Sequence, residues 1–228
     1  MIEEKIKPFL EAYEALLAVC DQTFEKVQTL HPEKVTCQKG CSDCCNALFD
    51  LALIEALYVN YYFRKQFDAK MQTPIIERAN KADRAVYKLK KDSYKAIQKG
   101  ASEEDVLQHM AEERVRCPLL NDTGQCEMYD KRPLTCRLYG IPTAIGEQAH
   151  ICGLSKFQAG EAYPTVKLDR LRAEIQRLSL AISVALQSKY PKLPEMLVPL
   201  SMALLTTYDE EYLGVFAASR KEKDEPET

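Results

Sequence analysis

The chain has 228 residues, 46% of them hydrophobic, with 31 basic and 34 acidic side chains and a formal charge of −3. That length buries a substantial core without disulfide staples, and the acidic balance argues against a dedicated nucleic-acid binder. No apolar run reaches the eighteen or so residues of a membrane span, and the opening Met-Ile-Glu-Glu-Lys-Ile-Lys-Pro lacks the layout of a signal peptide. The expectation is a soluble cytoplasmic protein with no membrane and no nucleic-acid partner, in which thiols stay reduced and metal ligation outranks disulfides.

In chain order, Phe9, Tyr13, Leu16, Cys20, Phe24 and Val27 recur at helical spacing, which predicts a helix over 6–30 that His31-Pro32 ends. Leu51, Ile54, Leu57, Tyr58, Tyr61 and Tyr62 predict a second helix. Thr73-Pro74 reads as the N-cap and first-turn proline of a third, running to Lys99 and stopped by Gly100. Its cations (Arg78, Lys81, Arg84, Lys88, Lys90, Lys91, Lys95 and Lys99) meet only Asp83 and Asp92, with Tyr87 and Tyr94 interleaved. A solvated amphipathic face is the plainer reading and an anionic-partner face the sharper one.

Ser102 and Asp105 start a fourth helix that ends before Cys117. Residues 117–155 are punctuated by Pro118, Asn121-Asp122-Thr123-Gly124, Arg132-Pro133, Gly140, Pro142 and Gly146. There Gln125–Tyr129 pairs with Cys117–Leu120 as a small β-hairpin. This segment has few periodic apolar residues, so it is expected to lean on a bound metal for its order. Leu168, Leu171, Ile175, Leu178, Ile182 and Leu186 return to helical spacing; further helix is expected over 195–206 and around 210–217. The fold class is mainly α: a single helical domain over 1–219 with a turn-rich, cysteine-bearing insert, then a charged tail over 220–228.

Eight of the nine cysteines fall into two groups, Cys37-x3-Cys41-x2-Cys44-Cys45 and Cys117, Cys126, Cys136 and Cys152. Thiolate is a soft ligand suited to zinc and iron–sulfur clusters. Spacings of two or three residues let Cys37, Cys41 and Cys44 reach one centre across a tight turn. Cys45, adjacent to Cys44, is expected to point elsewhere: to a different iron, a different site or the core. The downstream four chelate only if the hairpin and the Arg132-Pro133 turn fold them back on the first group. Eight sulfurs suit two four-thiolate sites, zinc or [4Fe–4S], or one cluster with spectator thiols. Each downstream thiol has a plain alternative as a buried core residue. Cys20 lies on the apolar stripe of the first helix and reads as core; His150, near Cys152, reads as a surface histidine. The first three cysteines also match the spacing of radical S-adenosylmethionine enzymes, but the strand–helix alternation of that barrel is missing.

Together these motifs resemble the YkgJ-like cysteine-cluster family of zinc- or iron-chelating domains. The resemblance is carried by Cys37-x3-Cys41-x2-Cys44-Cys45, Cys117-Pro118-Leu119-Leu120 and Cys126-x2-Tyr129-x2-Arg132-Pro133-x2-Cys136-Arg137, over about residues 35–153. Relatives include flagellin lysine N-methylases, so the resemblance implies an iron–sulfur protein that transfers methyl from S-adenosylmethionine to a protein substrate. The chain shows no glycine-rich strand-to-helix turn of common methyltransferase folds. The expected cofactor is one or two iron–sulfur clusters, [4Fe–4S] first and zinc second, held by all eight cysteines. The expected function is a redox protein or Fe–S-dependent protein methyltransferase with a protein substrate or redox partner. The alternative is a non-catalytic zinc or iron protein with a structural or metal-delivery role. No catalytic residue is assigned; Tyr129, Arg132 and Arg137 are the polar candidates near the metal, and Arg132 is a candidate donor to cluster sulfurs.

Overall fold

The computed structural model describes residues 2–158 and 160–215. Helix α1 (Ile2–Leu30) buries Ile6, Leu10, Tyr13, Leu17, Cys20 and Val27, one stripe at three- and four-residue steps. It starts earlier than periodicity predicts, because Pro8 is exposed and leaves the buried stripe untouched. Helix α2 (Leu53–Gln66) is the core element: every residue from Leu53 to Asn60 is buried, so its pattern has no polar side. Its Glu55 carboxylate accepts from Tyr13 Oη at 2.8 Å and from Ala52 N at 3.3 Å, while Tyr13 Oη accepts from Leu134 N at 3.1 Å. Burial raises the Glu55 carboxyl above its ordinary range. This network ties α1, α2 and the cysteine-bearing insert together.

Helix α3 (Ala69–Gln98) starts at Asp68, whose side chain accepts from Met71 N at 2.9 Å, and not at Thr73. Asp68 is a strong N-cap five residues upstream, and Pro74 is absorbed within the helix at the loss of one backbone donor. The C-terminus falls where expected, with Gly100 at φ +97° and Ala101 N bonded to Ala96 O at 3.0 Å. Helix α4 (Glu103–Glu112) is capped by Ser102, which accepts from Asp105 N at 3.0 Å.

The expected hairpin is present only around its turn: Leu120 bridges Cys126 and Glu127 N bonds Leu119 O at 2.8 Å, while Cys117 N bonds Cys45 O and Tyr129 opens a 3₁₀ turn. Asn121 Oδ1 closes its turn by accepting from Thr123 N and Gln125 N, with Gly124 at φ +76°. Helix α5 (Leu134–Leu138) follows. The insert has more core than its turns suggest, since Leu119, Leu120, Met128, Leu134, Leu138 and Ile141 are buried. Leu134, Leu138 and Ile141 recur at helical spacing, but over a single short helix and the turn after it, and the others are single residues set by turns.

Strand β1 (Asp50–Ala52) leads into α2. Strands β2 (Thr143–Ile145), β3 (Gln148–His150) and β4 (Val166–Lys167) form a small sheet, β3 antiparallel and β4 parallel to β2. Helix α6 (Leu168–Leu186) buries Ile175, Leu178, Ile182 and Leu186. The helix expected over 195–206 is shorter. Leu197–Pro199 forms β5, paired antiparallel with β1 (Leu51 opposite Val198), and α7 spans Leu200–Leu205. Pro199 explains this: it disfavours helix at Val198 and lacks the amide that a continuing helix needs. Residues 209–214 make hydrogen-bonded turns where helix was expected. The end of that expected helix and the 220–228 tail lie outside the described residues.

Helices α1, α2 and α6 and parts of α3 and α7 share one continuous buried cluster with the insert. The fold is mainly α, seven α-helices and short strands among the described residues. No described helix is long and apolar enough to cross a membrane.

Candidate metal centre

The first cysteine group lies on the loop after α1. Cys41 N bonds Gln38 O at 2.9 Å, with Gly40 at φ +98° reversing the chain between Cys37 and Cys41. Cys44–Asn46 then forms a single 3₁₀ turn, stiffened by Asn46 Nδ2 donating to Ser42 O at 3.0 Å. Beyond it the chain pairs with the segment after α4. Ala47 bridges Arg114, Val115 N bonds Asn46 O at 3.0 Å, and Cys117 N bonds Cys45 O at 2.7 Å. Backbone pairing thus sets the start of the second cysteine group against the end of the first.

Five thiols consequently line one apolar cavity: Cys44, Cys45, Cys117, Cys126 and Cys136, the last from α5. Ala82 and Val86 of α3, Phe49, Leu119 and Met128 supply apolar wall, and Arg132 stands at its side. Cys44 and Cys45 both line this cavity. Both Cys45 and Cys136 hydrogen-bond to the Cys44 sulfur, which lowers the Cys44 pKa and raises those of its two partners. Burial raises Cys117 to about 12 and also raises Cys126.

Cys37 lines an adjacent polar cleft with Asp21, Tyr129, Arg132 and Arg137. Its pKa rises to about 11, first through burial, then through the charges of Cys41, Cys44 and Cys152. Cys152 approaches Asp43 Oδ2 at 3.5 Å and accepts from Leu154 N at 3.4 Å. Five of the eight thiols thus line one cavity, and Cys37 lines the adjacent cleft, the two sharing Arg132. Among the described residues, no three His, Cys, Asp or Glu side chains already stand at the spacing that holds one metal ion. His150 is exposed on β3. Cys20 is 2% exposed in the core of α1, with its pKa raised to about 11 by burial.

The polar candidates are engaged as supports. The Arg132 guanidinium lies 3.7 Å from the Tyr129 ring centroid, with Nε donating to Tyr129 O at 2.9 Å. It still opposes the rise in pKa at Cys37 and Cys126 and helps lower that of Cys44. Arg137 pairs with Asp21 and donates to the carbonyls of Arg132 (2.9 Å) and Asp130 (2.7 Å), bracing the turn before α5.

Sequence reasoning missed two residues here. Asp43 lies between the motif cysteines, but its proximity to Cys152 is a long-range contact with no local signature. Gly140 is the second: a Cβ there would lie 2.3 Å from Cys37 Cβ and 3.0 Å from its Sγ. Gly140→Ala is expected to displace Cys37 and reduce metal content. Metal analysis beside the wild type checks this, and unchanged loading would show that Cys37 tolerates the shift.

A mainly α fold that brings five thiols to one cavity defines a sulfur-rich metal-binding class of protein. The CxxCxxCC family model, described as a "putative zinc- or iron-chelating domain", matches residues 36–153. That is more than half of the chain, and the chain belongs to this family. Its first spacer, Cys37-x3-Cys41, has one residue more than the family's name spells out, and the positive-φ turn at Gly40 lies within it. No curated protein and no solved structure matches the chain.

Proposed function

We propose that this protein holds one or two iron–sulfur centres and works as a redox protein. The observation that carries the reading is the convergence of five thiols from both cysteine groups on one apolar cavity. Cys45, Cys117, Cys126 and Cys136 would supply one four-sulfur set and Cys37, Cys41, Cys152 and Cys44 the other, with Cys44 at the join. The donor chemistry fits soft metals. An apolar, water-poor surround with a fixed cation beside the sulfurs is the setting in which a protein tunes cluster potential, and Arg132 is that cation. Zinc in the same thiols is the second reading, because four sulfurs also close a tetrahedral structural shell.

The test is anaerobic purification after expression with ample iron, followed by iron, sulfide and zinc analysis and an absorption spectrum. A brown protein containing iron and acid-labile sulfide is expected. A colourless protein with stoichiometric zinc and no sulfide would replace the cluster reading with the zinc one.

A further inference from the structure

Lys81, Arg84, Lys88, Lys91 and Lys95 of α3, and Lys99 that caps it, succeed one another at steps of three or four residues, so they share one face, and all six are exposed. The opposite face buries Ile75, Ala79, Ala82 and Val86. Among the described residues, the row has one ion pair, Lys95 with Asp92 at 4.0 Å, and one ring contact, Lys91 over Tyr87 at 5.9 Å. At its N-terminal end it opens into a groove between α3 and the 114–117 segment. That groove is lined by Arg78, Lys81, Arg114 and Arg116, with Asp122 its single carboxylate among the described lining residues.

Two of these cations are fixed in place. Arg78 pairs with Glu127 and donates to Pro118 O at 2.7 Å; Arg116 donates to Leu120 O at 3.3 Å and Asn121 O at 2.7 Å. Arg78 is thereby neutralised by Glu127, while Arg116, held only by carbonyls, loses little freedom when it meets an anion. Ala82, Val115, Arg116 and Cys117 line both this groove and the thiol cavity, so an occupant would lie against the outer wall of that cavity.

We propose that the groove and the cationic row together dock an acidic polypeptide segment, rich in Asp and Glu, of a partner protein. From Lys81 to Lys99 the row extends about 27 Å at 1.5 Å per residue, too long for a small anion. Tyr87 and Tyr94, 65% and 62% exposed on the same helix, are of a residue type enriched in protein interfaces. The chain as a whole is negative, at −3, which disfavours a long polyanion while leaving this local attraction intact. Docking here does not depend on which metal the thiols take.

The test is a fluorescence-anisotropy titration of the full-length, metal-loaded protein with a short labelled poly-glutamate peptide. Saturable binding that weakens as salt shortens the screening length is expected. K81E/K88E should weaken it about tenfold or more, and the control K5E/K26E, with the same charge change on exposed positions of α1, less than about twofold. K81A/K88A, checked by circular dichroism, separates lost binding from lost folding. Equal weakening by both reversals, or no binding at low salt, would overturn the proposal. Tighter binding of a single-stranded oligonucleotide of equal charge through the same residues would reassign the face to nucleic acid. Self-association abolished by K81E/K88E would reassign it to a second copy of the chain.

Discussion

Serine at Cys44 is expected to lower bound metal more than serine at any other cysteine, because in the proposed arrangement its sulfur joins the two thiol sets. Losing a residue that only orients a ligand typically costs about 10–100-fold in metal affinity, and losing a shared ligand should cost at least as much. Cys37→Ser, Cys41→Ser, Cys45→Ser and Cys117→Ser should each lower loading as well, within one set. Cys20→Ser is the informative control. It replaces a thiol in the core of α1 with a more strongly hydrated hydroxyl, so the protein should melt earlier with metal content unchanged. Metal-to-protein ratios and melting curves on the same preparations check both halves. Equal metal loss from Cys20→Ser would mean that the core and the centre are not separable.

Removing the metal under reducing conditions should loosen the cysteine loops before the helices. Apparent binding energies of structural metal sites reach about 10–16 kcal/mol in zinc-finger peptides, against a whole-domain stability of about 5–15 kcal/mol. A centre even partly as strong decides whether weakly packed segments stay ordered. The loop through Lys39 and Gly40 and the hairpin turn at Asp122 and Thr123 are exposed and should be cleaved first. Residues 128–141 should last longer, because Met128, Leu134, Leu138 and Ile141 are buried and Leu134 N is bonded to Tyr13 Oη. Most helical signal should remain, since α1, α2 and α6 have their own buried faces. Limited proteolysis with mass spectrometry, beside circular dichroism, reads this out. Equal resistance of stripped and loaded protein at 39–40 and 122–123 would show that the metal does not organise those loops.

The helical class, the C-terminus of α3, the Ser102 cap and the Asn121–Gly124 hairpin turn were legible in the sequence, because each depends on residues within a few positions of one another. A buried stripe along α1, a cap at Ser102 and a glycine at positive φ at position 100 are local physics. Likewise, the softness of thiolate limits the metal classes from residue chemistry alone. The starts of α3 and α7 were misplaced because Thr73-Pro74 imitated a cap that Asp68 already provides, and because Pro199 broke a helix into a strand that pairs with β1.

The tertiary structure alone decided which sulfurs share a cavity. Cys45 meets Cys117 only because the strand-like segments 45–47 and 114–117 pair after α2, α3 and α4 have intervened, and no spacing rule encodes that register. The same holds for Gly140 against Cys37 and for Asp43 against Cys152. It holds too for the cationic groove, half of whose charges come from α3 and half from the 114–117 segment. Contacts between residues distant in the chain are selected by the packing of whole elements, and that packing is a property of the assembled core.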